Sequence, residues 1–302
     1  MNQVTIKNDH ISLTVLDYGA IIQKMQIKTP QGTYIEGVLG YEDPENYLID
    51  PFFLGACVGR YAGRISDGGF TLNGKKYPLS TENDVHLHGG KSGFSKKFWT
   101  IDQVEQGPTP YISLSYLSAH LEEGYPGNLK VKITYKLVRN ELHIIQEAYT
   151  DETTVVNLTN HSYFSLDPHP AIAHYQMKLE SSHILETDDR LLPTGKQIPV
   201  NDSQYDFRQE RKIGNTRLDT PFVLDKVQKE TISVASQKSG LSMQIKTNQP
   251  AVIVYTPNKL PGICFETQNF PDAPNNASFP SSVLHPGETY NNTSIFKFGF
   301  IH

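Results

Sequence analysis

The chain has 302 residues, 37% of them hydrophobic and 10% aromatic, enough for one large core or two modest ones. Its 27 Lys and Arg stand against 32 Asp and Glu, a formal net charge of −5. No broad cationic surface is therefore on offer to phosphate backbones or anionic lipid, and nucleic acid and membranes are set aside as partners. A single domain over residues 1–302 is the expectation, because all-β chains routinely run to this length.

The first residues, Met1-Asn2-Gln3-Val4-Thr5-Ile6-Lys7-Asn8, lack the basic start, apolar stretch and small-residue cleavage site of a secretory signal. Apolar stretches elsewhere break at charged residues or Gly well short of a bilayer span. Ile11 to Val15 and Ile21 to Ile27 are the first strand candidates, and Asp43 to Pro51 reads as loop. Cys57, like Cys264 far along the chain, sits among apolar neighbours, so both read as buried free thiols in a reducing, cytoplasmic setting. The sequons at Asn157, Asn276 and Asn291 then carry no glycan.

Gly59-Arg60-Tyr61-Ala62-Gly63-Arg64-Ile65 places two arginines four apart among glycines, each able to present a rigid donor fork to hydroxyls or a carboxylate. Arg60 is the one read more readily as surface charge. Asn73-Gly74, between Phe70-Thr71-Leu72 and Lys75-Lys76-Tyr77, predicts a hairpin, since a type I′ turn needs positive φ at both central positions. In Asp84-Val85-His86-Leu87-His88-Gly89-Gly90 two histidines at strand spacing are expected on one face, where they raise the question of a metal. No carboxylate follows within a few residues, so no metal is expected, and the paired glycines point to a tight turn or to backbone close to a ligand.

Beyond the loop-rich Thr81 to Lys97, alternation is clearest in Leu129-Lys130-Val131-Lys132-Ile133-Thr134-Tyr135-Lys136-Leu137 and recurs in Leu241 to Lys246. Ile112 to Leu117, Leu142 to Tyr149 and Thr154 to Leu158 are further strands, while Ser165 to Pro170 and Pro257 to His285 are rich in loop signals. No capped stretch sustains helical spacing long enough for a core helix. The fold class expected is all-β, a large antiparallel sandwich.

Asn157 to Leu166 ends a β-rich stretch in a polar cluster around His161, which reads either as a hydrogen-bonded histidine at a strand end or as a reactive one with partners. Glu266, in Ile263-Cys264-Phe265-Glu266-Thr267-Gln268, reads equally as a solvent-face residue or as a buried carboxylate with a raised pKa. Asp219, before Thr220-Pro221, alone reads as a turn former. No serine or cysteine has the neighbourhood of a nucleophile.

Taken in order, these landmarks resemble the aldose 1-epimerase (galactose mutarotase) family from about Gly19 to the C-terminus. They are YGA at Tyr18 to Ala20, GRYAGRI at Gly59 to Ile65, HLHGG at His86 to Gly90, NHSYFSL at Asn160 to Leu166 and LLPTG at Leu191 to Gly195. YDFR at Tyr205 to Arg208, LDTPF around Asp219, VYTP at Val254 to Pro257 and FETQNFPDAPNNASFP through LHPGETY at Phe265 to Tyr290 complete the series. The resemblance implies a mutarotase-like supersandwich acting on a free aldohexose as its small-molecule partner, without metal or organic cofactor. It implies Glu266 as general base, His161 as general acid, and Arg64, His88 and Asp219 as sugar-binding residues. Two positions depart from the family's common pattern: Gly63 stands where Asn is usual before the arginine, and Ile253 where Gln is usual two residues before the VYTP tyrosine.

Three rival readings follow from the same residues. A glycoside hydrolase needs a second carboxylate, from Asp219 or Asp272. A non-catalytic sugar-binding module does not need the His161 and Glu266 pair. An enzyme for phosphorylated hexose draws on Arg60, Arg64 and Lys91.

Overall fold

Alternation becomes strand throughout the computed structural model, which describes residues 1–168, 171–227 and 229–301. Every second residue of Leu129–Val138, from Leu129 through Leu137, is buried, and the residues between them are partly or fully exposed. Each fully buried apolar side chain contributes about 1.5–3 kcal/mol, so register along such a strand is firmly set. Expected and observed strands agree to within a residue or so at Ile11–Leu16, Ile22–Lys28, Tyr111–Ser118, Glu141–Thr150 and Leu241–Thr247. Helical structure among the described residues is confined to short 3-10 turns, and no helix is long and apolar enough to cross a membrane.

The largest sheet has nine antiparallel strands, in the order Thr100–Glu105, Tyr111–Ser118, Leu129–Val138, Glu141–Thr150, Tyr290–Phe300, Leu241–Thr247, Glu230–Ala235, Gln176–Leu179, Arg211–Lys212. A six-stranded sheet runs Tyr163–Phe164, Ile263–Gln268, Ala251–Tyr255, Asp219–Val223, His183–Thr187, Pro193–Pro199, and a four-stranded sheet contains the first strands of the chain. Inward residues of all three join one apolar cluster, with Phe164 of the six-stranded sheet stacked on Phe296 of the nine-stranded one at 5.0 Å. This is the sandwich packing of two antiparallel sheets over a shared core.

The Asn73-Gly74 hairpin forms as expected, pairing Gly69–Leu72 with Lys75–Pro78, with φ of 51° and 76° at the turn. The stretch Thr154 to Leu158 does not stay a strand. Thr154–Val155 pairs with Val283–Leu284, and the backbone then changes partner, the Asn157 amide donating to the Arg60 carbonyl in a bridge with Tyr61 while its side chain adds further bonds. Its Oδ1 accepts from the Asn269 amide at 2.9 Å and its Nδ2 donates to the Ala62 carbonyl at 3.0 Å. The loop expected over Ser165 to Pro170 is described as far as Pro168; His169 and Pro170 lie outside the described residues.

Arg60 is not surface charge. It is 2% exposed, and its guanidinium donates to the carbonyls of Tyr125, Pro126 and Gly127 at 3.2, 3.0 and 2.6 Å. Three converging carbonyls demand a planar set of donors, which only an arginine can supply. Burial pushes its pKa down to about 10, still charged at neutral pH. Arg60→Met should therefore orphan three acceptors and lower unfolding stability by about 3 kcal/mol, seen as a lower urea midpoint at unchanged slope.

Candidate active site

The strand Ile263–Gln268 is buried at all six positions, so its alternation separates two interiors rather than core from solvent. Ile263 and Phe265 enter the apolar cluster, which sends Cys264 and Glu266 to the opposite face. From that face Glu266 lines a pocket together with Phe53, Gly63, Arg64, His88, His161, Asp219, Ile253 and Tyr255. Glu266 is 3% exposed; its Oε1 lies 3.5 Å from His161 Nε2, and its Oε2 has no hydrogen-bond partner among the described residues. A buried carboxyl oxygen without a partner costs about 1–3 kcal/mol, so it stands as a free acceptor for a ligand hydroxyl.

His161 follows the two-residue strand Thr159–Asn160, which pairs with Cys57–Val58. Its backbone is pinned twice, its amide donating to Ala56 and its carbonyl accepting from Gly55, while Asn160 Nδ2 donates to the Gly55 carbonyl at 2.9 Å. His88 has φ of 50°, and its Nδ1 accepts from the Gly63 amide at 3.2 Å. The neutral ring consequently carries its proton on Nε2. Phe53, itself at φ of 56°, packs on both imidazoles, with ring centroids 5.1 Å from His88 and 5.9 Å from His161. Arg64 and Asp219 face each other across the pocket mouth at 3.6 Å, each about a quarter to a third exposed.

His86 and His88 do not share a face. The His86–Leu87 strand stops after two residues, and the left-handed backbone at His88 turns its ring away from the alternation. His86 is tied into the interior, its Nδ1 at 2.7 Å from the Ser80 carbonyl and its Nε2 at 2.7 Å from the Tyr125 hydroxyl. Lys91 lies on the outside, where its amide meets the Glu123 carboxylate at 3.2 Å. Asp272 is used structurally, accepting from the Ser66 amide at 3.0 Å and from Asn275 Nδ2 at 2.8 Å.

Electrostatically, burial pushes the Glu266 carboxyl up to about 8, with the Asp219 charge adding to it and Arg64 opposing. Burial lowers His161 to about 4 and holds His88 well below the ordinary imidazole range, with His161 adding to the latter effect. The His161 and Glu266 pair thus holds one proton between those limits, and titrates as a unit. One heteroatom from each of His88, His161 and Glu266 falls within 4.8 Å of the other two, a spacing that also suits a cation. The Gly63 amide on His88 Nδ1 makes His88 a donor into the pocket, which favours proton transfer and hydroxyl binding over metal ligation.

Sequence reasoning named His161, Glu266, Arg64, His88 and Asp219, and all five line this one pocket. It did not single out Phe53, whose role depends on a loop conformation without a residue-type signal. It read Cys264 only as a buried thiol, although its place two residues before Glu266 puts it on the same strand face. The departures Gly63 and Ile253 are both pocket residues. Ile253 stands directly opposite Glu266 in the strand register, and a Cβ on Gly63, at φ of 79°, would lie 3.1 Å from Gln268 Nε2.

A family model described as aldose 1-epimerase matches residues 2–297. Galactose mutarotase from Mus musculus is 37% identical over 97% of this chain and 92% of its own length. Aldose 1-epimerase from Escherichia coli K12 is 29% identical over 98% of this chain and 94% of its own. Among solved structures, galactose 1-epimerase from Lactobacillus acidophilus superposes with a TM-score of 0.89 at 28% identity, covering 99% of this chain and 95% of that one. An aldose epimerase homologue from C. elegans reaches 0.93 at 27% identity, covering 100% and 99%.

The charge arrangement around Glu266 gives a direct test. Asp219→Asn removes a negative neighbour and should lower the Glu266 pKa, whereas Arg64→Met should raise it, both read from the carboxyl 13C titration of the ligand-free protein.

Proposed function

The chain belongs to the aldose 1-epimerase family, and from that premise we propose that it interconverts the α and β anomers of free aldohexoses, with Glu266 and His161 as the proton-transfer pair. The observation that carries the assignment of roles is the 3.5 Å approach of His161 Nε2 to Glu266 Oε1, both buried and both opening on one pocket.

Anomer exchange breaks the bond between C1 and O5. Glu266, ionised, takes the proton of the C1 hydroxyl; the O–H electrons form the aldehyde and the C1–O5 pair leaves onto O5, which takes a proton from His161 Nε2. The pair holds one proton throughout: burial leaves it on Glu266 at rest, ring opening starts from the form with it on His161, and it returns to the carboxyl by way of the sugar. Rotation about C1–C2 presents the other aldehyde face, and closure runs the same transfers backwards. His88, donating through Nε2, steadies the ring oxygen, and the facing Arg64 and Asp219 bind hydroxyls away from C1.

A hydrolase would need a second carboxyl about 5–9.5 Å across the glycosidic oxygen. Here the group beside Glu266 is an imidazole, and Asp272 is committed to Ser66 and Asn275. Of Arg60, Arg64 and Lys91, only Arg64 lines the pocket, and it is balanced by Asp219, which favours a neutral sugar over a phosphorylated one. A cytoplasmic setting fits the two free, buried cysteines, and a single domain fits the shared core.

Polarimetry of freshly dissolved α-D-galactose and α-D-glucose tests the activity, the protein being expected to hasten decay to the same final rotation. Glu266→Gln and His161→Asn should each cut kcat by at least about a hundredfold with the fold intact by circular dichroism. Below about 4 the pair carries two protons and lacks a base; above about 8 it carries none and lacks an acid. The rate should therefore be bell-shaped in pH between those limits, and a profile flat across them would refute the shared-proton assignment.

The departures from the family pattern predict looser selection among epimers. Gly63 and Ile253 remove two hydroxyl partners, so kcat/KM for α-D-galactose and α-D-glucose should agree within about tenfold, and Ile253→Gln should widen the gap. A strong preference for one epimer in the parent protein would count against this.

A further inference from the structure

We propose that Cys264 is the positioning residue of His161, its thiol swivelling between donor and acceptor toward Nδ1 so that one imidazole acts as acid in ring opening and as base in ring closure. The proposal rests on His161 serving the ring oxygen.

Cys264 Sγ lies 3.8 Å from His161 Nδ1 and is the side chain within hydrogen-bond reach of that nitrogen among the described residues. Glu266 lies 3.5 Å from Nε2. Two residues apart on one strand face, the two side chains thus address the two nitrogens of a single ring, so the strand Ile263–Gln268 sets both the reactive side of His161 and its rear contact. The thiol is fully buried, and burial, reinforced by the nearby Glu266 charge, holds it protonated by pushing its pKa well above the ordinary value.

A protonated thiol is both a weak donor and a weak acceptor. When His161 is neutral, S–H points at Nδ1 and places the ring proton on Nε2, toward Glu266 and the pocket. When His161 is an imidazolium, the S–H rotates away and sulfur accepts from Nδ1–H. A carboxylate or a backbone carbonyl in this place would hold the ring as an Nδ1–H donor in both states and bias it toward the charged form. The reaction needs neither bias, because Nε2 gives a proton to O5 and takes it back within each turnover. His88 shows the contrast: its Nδ1 is held by the Gly63 amide, which only donates, and its ring is fixed as a neutral Nε2–H donor.

Two variants and one spectrum test this. In 15N-histidine-labelled protein near neutral pH, His161 should carry its proton on Nε2; a ring protonated on Nδ1 would overturn the proposal. Cys264→Ala should lower kcat about tenfold at nearly unchanged KM and move the acid limb of the pH profile downward, because the imidazolium loses its acceptor. Cys264→Ser, whose hydroxyl also donates and accepts, should keep kcat within about threefold of the parent. An alanine variant with the parent's kcat and pH profile overturns the proposal, as do equal losses in both variants, which would mean that sulfur only fills space. If the alanine variant does not fold, the spectrum and the serine variant decide. Persistent mutarotation in His161→Asn would instead bring down the functional reading beneath it, an outcome separate from a dead His161→Asn beside a fully active Cys264→Ala.

Discussion

A carboxyl group buried without a full set of partners is the constraint on which the rest of this molecule depends. Glu266 stands in a strand enclosed on both faces, opposite an isoleucine, with one oxygen near an imidazole and the other free. Such a group cannot simply ionise; desolvation keeps a proton on the pair it forms with His161. Everything near it regulates that proton. Asp219 holds it more tightly, Arg64 loosens it, and Phe53 packs against the imidazole. A sugar hydroxyl entering the pocket meets a buried carboxyl oxygen that no described residue satisfies.

Holding such a group requires rigidity, and the sheets supply it unevenly. Regular pairing positions Glu266 and Cys264 through strand alternation alone. His161 and His88 come from segments with only two-residue strands, where side chains and pinned backbone groups replace ladder bonds. Asn157, Asn160 and Asn269 bridge backbones that pleat geometry cannot join, and Tyr61 ties two more through its hydroxyl, donating to Phe270 at 2.8 Å and accepting from the Ala273 amide at 3.1 Å. Arg60 does the same for three carbonyls. The polar interior around the pocket is thus a structural lattice that holds the segments carrying the two histidines.

The regular part of this design is legible in the sequence, because period-two burial of Val, Ile and Leu has no other reading. The hairpin at Asn73-Gly74 is legible for an equally local reason. The site is legible residue by residue only in part. Glu266 looked equally like a surface residue, since alternation marks the face opposite the core without saying whether loops cover that face. His86 and His88 were expected side by side, but a left-handed residue ends the alternation between them. From the sequence Arg60 reads as surface charge, because its partners lie 65 to 67 positions away, where no local pattern reaches. Family resemblance gathered the five polar residues into one site, which local reasoning about each had left apart.

What separates the two pocket histidines is not their burial, which is similar, but the chemistry behind each ring. A backbone amide can only donate, so His88 is confined to one tautomer and one task, holding an oxygen. A thiol answers in either sense, so His161 is free to change charge without losing its rear contact. The amide comes from Gly63, where the chain departs from its family's common asparagine, yet a main-chain donor survives any substitution that keeps the backbone path. The binding role is therefore built into the fold, while the proton-transfer role depends on side chains two positions apart on one strand. Variation at Gly63 or Ile253 can change which hydroxyls are recognised and leave that transfer intact, because neither residue touches the His161 ring nitrogens.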